Sequence, residues 1–345
     1  MFRILIKSLM GFVLVGSLST AQAQEEDRSY ILATATTGGT YYPVGVAIAT
    51  LTKIRLQPST GISLSAISSA GSGENVRLLR DDEVQFAILQ GLYGAWAWNG
   101  DGPLTEAGPQ SDLRSITMLW PNVEQFAVRS SYAASGTISD MNGLRGERFS
   151  IGARNSGTEG SGRHILGALG YDVDADFDMV FQGYGPSADS LQNNVIDGMN
   201  APAGIPVSAL TRAFAADGEN LTILSFTDEE MMRVNAQYDL WTRYTIPGGT
   251  YPNQDADIAT IAQPNFLTVR SDVDEEAVYQ ITKTIYENLA FLRSIHAATG
   301  DMSLERSVAG LPLPLHPGAL RYYDEMGVDV PDALRPVAED GEPVE

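Results

Sequence analysis

The chain has 345 residues, with 43 acidic side chains against 22 lysines and arginines and a formal net charge of −21. That charge argues against nucleic acid as a partner, because a polyanion would be repelled. Cysteine is absent, which excludes thiol catalysis and thiolate metal sites.

The first 23 residues predict a secretory signal peptide. Arg3 and Lys7 form a short positive segment, and residues 9–18 are an apolar stretch too short to span a bilayer. Ala21-Gln22-Ala23 is a small-x-small cleavage site. We therefore expect a mature chain that begins at Gln24 and lies in the periplasm. The remaining length is enough for two domains.

Short strands and helices alternate along the mature chain, which predicts an α/β architecture with parallel sheets. The expected strands cover residues 30–35, 63–67, 84–89, 113–120, 124–128, 148–152, 178–181, 195–200, 221–225, 242–246 and 266–269. The expected helices cover residues 44–54, 91–98, 160–169, 186–193 and 206–216, with another that starts near residue 75. Apolar residues from Val278 to Leu292 recur at spacings of three and four, which predicts one long helix with a buried face.

The most informative motif spans residues 33–45, where a predicted strand, a Gly38-Gly39 turn and a predicted helix follow one another. Glycines let the backbone approach another group closely, and Thr37 or Thr40 can cap the helix. A helix start of this kind exposes unpaired N–H groups at the positive end of the helix dipole, so it can bind an anion without a cationic side chain. The alternative is an ordinary strand-to-helix turn.

Three further turns share this chemistry. Residues 68–75 follow a strand and open a helix, and residues 154–160 do the same in the second half of the chain. In the latter, Ser156 and Glu159 form a capping box, so a well-capped helix is the plainer interpretation. Gln90 sits at the carboxyl end of a strand, where open α/β sheets bind ligands. Together these turns favour a polar or anionic ligand in a cleft between two domains.

The motifs of common enzymes are missing. The chain has no G-x-S-x-G, no S-x-x-K and no P-loop lysine, so we assign no catalytic residue and no cofactor. His164, His296 and His316 are far apart in sequence and show no zinc-binding spacing, so no metal ligand is assigned either. We expect His164 to be a packing residue and His316 to cap the last helix. Trp96, Trp98 and Trp120 could form a carbohydrate platform, although core positions are the plainer interpretation.

A set of landmarks recurs in order along the mature chain: residues 37–42, Gly73-Glu74-Asn75, Gly152-Ala153 with Ser156-Gly157-Thr158, Gly249-Thr250-Tyr251-Pro252, and residues 315–323. In combination they resemble the landmarks of TAXI receptors, the extracytoplasmic solute-binding proteins of a branch of the TRAP (tripartite ATP-independent periplasmic) transporters.

The resemblance implies a type II periplasmic-binding-protein fold, an α/β fold of two lobes joined by crossing hinge strands with a ligand cleft between them. Lobe 1 would comprise residues 27–125 with 255–335, lobe 2 residues 126–254, and residues 336–345 would form an acidic tail. The implied solute is a small carboxylate, either glutamate, glutamine or a dicarboxylate such as 2-oxoglutarate. The implied partner is a multi-span TRAP permease in the inner membrane, served by a monomeric receptor.

The resemblance also assigns ligand-binding positions in both lobes. Those of lobe 1 are Gly38, Gly39, Thr40, Tyr41, Ser69, Ser72, Gly73, Asn75 and Gln90; those of lobe 2 are Ser156, Gly157 and Thr158. Tyr251 would close over the solute from the hinge side. Arg154 departs from the family pattern, and it either pairs bidentately with a carboxylate or lies solvated at the rim. A binding protein of an ABC importer and a ligand-sensing partner of a regulatory system remain alternatives, because they use the same fold.

Overall fold

The computed structural model describes residues 28–336. The predicted signal peptide lies outside these residues, as does the predicted acidic tail apart from Pro336. Among the described residues, no helix is long and apolar enough to cross a membrane.

Strands and helices alternate through most of the described chain. The strands are β1 (Arg28–Ala33), β2 (Ile62–Ile67), β3 (Phe86–Gln90), β4 (Leu113–Val123), β5 (Phe126–Arg129), β6 (Arg148–Ser150), β7 (Asp178–Val180), β8 (Gly198–Asn200), β9 (Leu221–Ile223), β10 (Thr242–Ile246) and β11 (Ile258–Arg270). The helices are α1 (Tyr41–Arg55), α2 (Gln57–Thr60), α3 (Ser72–Arg80), α4 (Gly91–Asn99), α5 (Gly157–Ala168), α6 (Val173–Asp176), α7 (Tyr184–Gln192), α8 (Ser208–Asp217), α9 (Asp228–Val234), α10 (Glu275–Glu287), α11 (Leu289–Ile295) and α12 (Pro317–Met326).

Two sheets divide the molecule into a first and a second lobe. In the first sheet, β2, β1 and β3 run parallel in that order, and the antiparallel β11 follows β3. In the second sheet, β7, β6 and β8 run parallel in that order, and the antiparallel β5 follows β8. Each lobe thus repeats one plan, in which the second, first and third strands lie side by side and an antiparallel strand follows.

Two long strands form the hinge between the lobes. β4 leads out of the first lobe and continues through Glu124 and Gln125 into β5 of the second sheet. β11 returns, with β10 on its first half and β3 on its second half, and it pairs antiparallel with β4 from Ala262 to Arg270. The chain therefore crosses between the lobes on a two-stranded ribbon. The residue limits of the two lobes remain a prediction.

The apolar face expected from Val278 to Leu292 is buried at Val278, Ile281, Ile285 and Leu292, but the single long helix predicted there is wrong. α10 ends at Glu287 and α11 begins at Leu289. The side-chain amide of Asn288 donates to the carbonyl of Thr284 at 2.8 Å, which competes with the helical backbone bond at that carbonyl.

Candidate functional site

A cavity lies between the lobes, with about 460 Å³ of space that protein atoms do not fill, part of it continuous with solvent. Its first-lobe wall comes from the turns before α1 and α3 and from the end of β3. Its second-lobe wall comes from the turns before α5 and α7 and from the segment after β8, and β4 contributes Asn122. A cleft at the carboxyl ends of parallel strands is a typical ligand site.

Helix starts dominate the wall. The first residues of four helices line the cavity, namely Tyr41 of α1, Ser72 of α3, Gly157 of α5 and Tyr184 of α7. The first N–H groups of a helix have no partner inside that helix, and the helix dipole makes this end positive. Because the four starts come from both lobes, N–H groups surround the cavity from two sides. This arrangement suits an anion.

The helix-start residues make different hydrogen bonds from those the sequence predicts. Thr40 sits at the N-cap position of α1 but makes no capping bond, because its hydroxyl donates across the cleft to the carbonyl of Gly204 at 3.0 Å. Ser156 caps α5 by accepting from the N–H of Glu159 at 3.0 Å. The reciprocal half of the predicted capping box is wrong, since the Glu159 carboxylate accepts instead from the N–H of Asn155 at 2.8 Å.

A directional chain of side-chain hydrogen bonds crosses the floor of the cavity. The Tyr41 hydroxyl donates to Asn265 Oδ1 at 2.5 Å, and Asn265 Nδ2 donates to Asn122 Oδ1 at 3.3 Å. Asn122 Nδ2 donates to Gln90 Oε1 at 3.0 Å, and Gln90 Nε2 donates to the carbonyl of Gly157 at 2.7 Å. The chain joins α1, both hinge strands and β3 to the start of α5 in the other lobe. These bonds also fix, for Asn265, Asn122 and Gln90, which end of the side-chain amide accepts and which end donates.

Eight of the fourteen sequence-predicted site residues line the cavity: Gly39, Thr40, Tyr41, Ser72, Gln90, Ser156, Gly157 and Thr158. The other six lie outside the wall: Gly38, Ser69, Gly73, Asn75, Arg154 and Tyr251.

Two of these six residues hold the wall in place from behind. The Asn75 amide donates to the carbonyls of Thr34 and Ile88 at 2.8 and 2.9 Å, and it accepts from the Ser69 hydroxyl at 2.6 Å. These bonds tie the start of α3 to β3 and to the end of β1. Asn75 is fully buried, so its amide is consumed by backbone partners and does not reach the cavity.

Gly38 and Gly73 mark places where the two lobes touch. A Cβ on Gly38 would lie 2.8 Å from the nitrogen of Gly185, and a Cβ on Gly73 would lie 2.5 Å from the carbonyl oxygen of Asn155. Both neighbours are backbone atoms of the opposite lobe. These glycines therefore permit close approach of the lobes.

Arg154 and Tyr251 lie away from the cavity for different reasons. Arg154 is exposed, and its guanidinium carbon lies 3.6 Å from the centre of the Phe181 ring, over which it stacks. Arg154 therefore lies at the solvent-exposed rim of the cavity. Tyr251 is 1% exposed within the second lobe, where its hydroxyl donates to Gln125 Oε1 and accepts from the N–H of Val207. It anchors the hinge segment at Gln125 and does not cover the cavity.

Sequence reasoning missed Tyr184 and Asn122. Gly183 and Tyr184 follow β7 and open α7, so a fourth strand, glycine and helix start was visible in the sequence. The Tyr184 hydroxyl donates to the carbonyl of Pro202 at 2.6 Å and lies 2.7 Å from the Thr158 hydroxyl. Asn122 is a polar residue within the buried part of β4, a signal of function that the sequence analysis did not use.

The lobes are closed on each other in this structure. Direct hydrogen bonds cross the cleft at five places: Thr40 to Gly204, Ser208 to Gly38, Glu74 to Asn155, Gln90 to Gly157, and Tyr238 to Asp101. They lie between 2.7 and 3.1 Å. The cavity is therefore bounded by both lobes at once.

Glu124 is a fully buried carboxyl at the point where β4 passes into β5. Trp241 Nε1 donates to its Oε1 at 3.2 Å and Gln263 Nε2 at 3.4 Å. Burial raises the pKa of Glu124 to about 7, against the smaller lowering effect of these donors. Its charge contributes to the raised pKa values of both Tyr41 and Tyr184, after burial, and Glu124 is not among the residues that line the cavity.

The three histidines do not meet. His164 stacks parallel to Trp241 with 5.1 Å between ring centres, which confirms it as a packing residue. His316 is the N-cap of α12 and accepts from the N–H of Gly318 at 3.2 Å, which confirms its predicted capping role. Among residues 28–336, no group of three or more His, Asp or Glu side chains is placed to hold a metal ion.

The chain is similar in fold to solved structures from several bacteria. MatC from Rhodopseudomonas palustris, solved with bound malate, matches with a TM-score of 0.53 and 13% identity over 86% of this chain and 98% of MatC. The binding protein of an ABC phosphonate transporter from Pseudomonas aeruginosa matches at 0.49 and 10% identity over 79% of each chain. The periplasmic aliphatic sulphonate binding protein SsuA from Escherichia coli matches at 0.43 and 14% identity, over 86% of this chain and 83% of SsuA.

The two-lobe topology and the likeness to MatC define the class: this is a type II periplasmic-binding-protein fold, as the sequence analysis expects. The chain belongs to the NMT1-like family, whose sequence profile matches residues 32–327. Membership of the TAXI branch is narrower than that description and remains a prediction.

Proposed function

We propose that the chain is a periplasmic solute receptor that captures a small carboxylate between its lobes and delivers it to a TRAP permease in the inner membrane. The candidate solutes are glutamate, glutamine and dicarboxylates such as 2-oxoglutarate. The observation that carries the proposal is the convergence of four helix starts, two from each lobe, on one cavity, to whose wall the described part of the chain contributes no charged side chain. Such a wall binds carboxylate oxygens through backbone N–H groups.

Closure of the lobes is the proposed working motion. The hinge ribbon of β4 and β11 lets the lobes separate, and a solute that contacts both walls binds the closed state better than the open one. Solute binding then shifts the population toward the closed form, whose combined surface the permease recognises. MatC with malate is an example of this fold holding a small dicarboxylate, although at 13% identity only the fold carries over.

Nothing in the proposed cycle requires chemistry on the solute. Ser72 and Ser156, the serines in the cavity wall, accept hydrogen bonds from backbone N–H groups of Gln90 and Glu159. Among residues 28–336, no histidine or carboxylate lines the wall to activate either hydroxyl. We therefore expect the solute to leave unchanged.

Ser156→Ala tests the site, with Thr227→Ala as the matched control. Both residues are helix N-caps in the second lobe, but only Ser156 lines the cavity. Loss of a cap lowers the free energy of unfolding by about 1 kcal/mol in each variant. Ser156→Ala is expected to weaken carboxylate binding about tenfold, the value of one hydrogen bond, as measured by calorimetry. Equal affinities in the two variants would contradict the assigned site.

The alternative partner is an ABC importer, since binding proteins of ABC transporters share this fold. The TRAP and ABC assignments can be separated by measuring uptake into vesicles that contain the permease encoded beside this protein's gene. An ion gradient without ATP is expected to drive uptake of the receptor-bound solute. A strict requirement for ATP would overturn the TRAP assignment and leave solute capture intact.

A further inference from the structure

We infer that the solute is a carboxylate without an ammonium group, so that an oxo-, hydroxy- or unsubstituted dicarboxylate is bound and its amino-acid counterpart is rejected. The inference rests on the proposed function, because it assigns the chemical class of the solute held in the same cavity. It narrows a choice that the family resemblance leaves open between amino acids and dicarboxylates.

The charge of the wall is the first observation. No acidic side chain is among the cavity-lining residues of the described chain, which are glycine, alanine, proline, serine, threonine, tyrosine, asparagine and glutamine. An ammonium in the closed cavity would lose its water and gain no anionic partner, which is costly for a buried charge. It would also face the positive ends of four helices.

The direction of the hydrogen bonds is the second observation. Each of the two side-chain amide oxygens of the wall already accepts one hydrogen bond, Gln90 Oε1 from Asn122 and Asn122 Oδ1 from Asn265. Since the Tyr184 hydrogen is given to Pro202, the Thr158 hydroxyl supplies the hydrogen in its contact with Tyr184, and its neutral oxygen keeps the acceptor sites.

Several backbone carbonyls at the turns also accept one hydrogen bond each. Those of Gly71, Ala153, Ser156, Gly183 and Pro202 accept hydrogen bonds from within the protein. The helix starts, by contrast, present N–H groups that have no partner inside their helices. The wall therefore offers an ammonium only neutral oxygen acceptors, whereas the N–H groups of the helix starts match the oxygens of a carboxylate.

Glu124 does not supply the missing countercharge. Its carboxyl is buried and is not among the lining residues. Its Oε1 is engaged by Trp241 and Gln263.

The test is a matched solute panel on the purified mature protein, measured by calorimetry at neutral pH. The probes are glutarate, 2-oxoglutarate, 2-hydroxyglutarate and glutamate, with succinate, malate and aspartate as the shorter set. Members of each set share a dicarboxylate backbone and differ in the substituent on the second carbon. The tightest amine-free member is expected to bind about 100-fold or more tightly than the amino acid of its set.

The outcomes separate this inference from the proposed function. If glutamate or aspartate binds as tightly as the best amine-free member of its set, the inference fails and carboxylate capture stands. If no member of either set binds, capture of a four- or five-carbon dicarboxylate fails and takes the inference with it. A preference for the amine-free compounds that persists in both sets supports the inference.

Discussion

Glu124→Gln replaces the buried hinge carboxyl with its neutral isostere and makes stability depend less on pH. Burial raises the pKa of Glu124 from 4.5 to about 7 in the folded protein. The folded state therefore holds a proton that the unfolded state releases, so this group destabilises the fold as pH rises from 4.5 toward 7.

The size of the effect follows from the shift. A pKa change of this size lowers the free energy of unfolding by at most about 3.4 kcal/mol, and about 0.8 kcal/mol of this loss is already present at about pH 5. Between about pH 5 and about pH 8 the wild-type protein is expected to lose about 2.5 kcal/mol of unfolding free energy through this group. Glu124→Gln is expected to lack that loss.

Urea unfolding of both proteins at the two pH values measures the effect. Other titrating groups, including His164 stacked on Trp241, are common to both proteins and cancel in the difference between them. Glu219→Gln, at an exposed carboxyl of the second lobe, controls for the loss of one negative charge. A difference between Glu124→Gln and wild type that stays constant from pH 5 to pH 8 would refute the buried-acid assignment.

Three further outcomes follow from the structure. Gly73→Ala places a Cβ 2.5 Å from the Asn155 carbonyl across the cleft. We expect the affinity for the solute to fall about 5- to 100-fold, while the stability of the solute-free protein stays unchanged. The control Gly167→Ala adds a Cβ in open space on a helix and should bind the solute as wild type does. If calorimetry shows equal affinities for the two alanine variants, lobe closure is not needed for binding. Tyr251→Phe removes hydrogen bonds at the hinge, so urea unfolding should show a free energy of unfolding that is lower by about 1–2 kcal/mol, with the affinity for the solute kept within about twofold. A large loss of affinity would indicate that Tyr251 contacts the solute. Raising the salt concentration to about 0.15 M should not weaken solute binding, because the proposed site has no ion pair between the solute and a cationic side chain. A steep loss of affinity in a salt titration would instead indicate that the solute pairs with a cation such as Arg154.

The sequence predicted the architecture well because strand and helix patterns are local. The glycine turns before α1, α3 and α5 were recognisable from residue types alone, since each needs close backbone approach and a helix start. The turn before α7 had the same pattern but was not identified. The hinge was harder, because β11 extends well beyond its apolar stretch through pairing with β4 and β10, which are distant in sequence.

Side-chain roles were the least predictable part of the site. Asn75 and Tyr251 look like ligand-binding residues by type, but tertiary contacts commit the Asn75 amide to backbone carbonyls and the Tyr251 hydroxyl to Gln125. Arg154 had two open interpretations, and its stacking on Phe181 depends on a neighbour from another strand. Such choices depend on three-dimensional neighbours, which residue type does not specify.

The central claim is that the cavity between the lobes holds a small carboxylate. Its most direct test is to purify the protein from its native cells without unfolding it, then denature it and identify released small molecules by mass spectrometry. We predict a stoichiometric small carboxylate that also raises the melting temperature when it is added back. A stoichiometric neutral or cationic compound in its place would contradict the account.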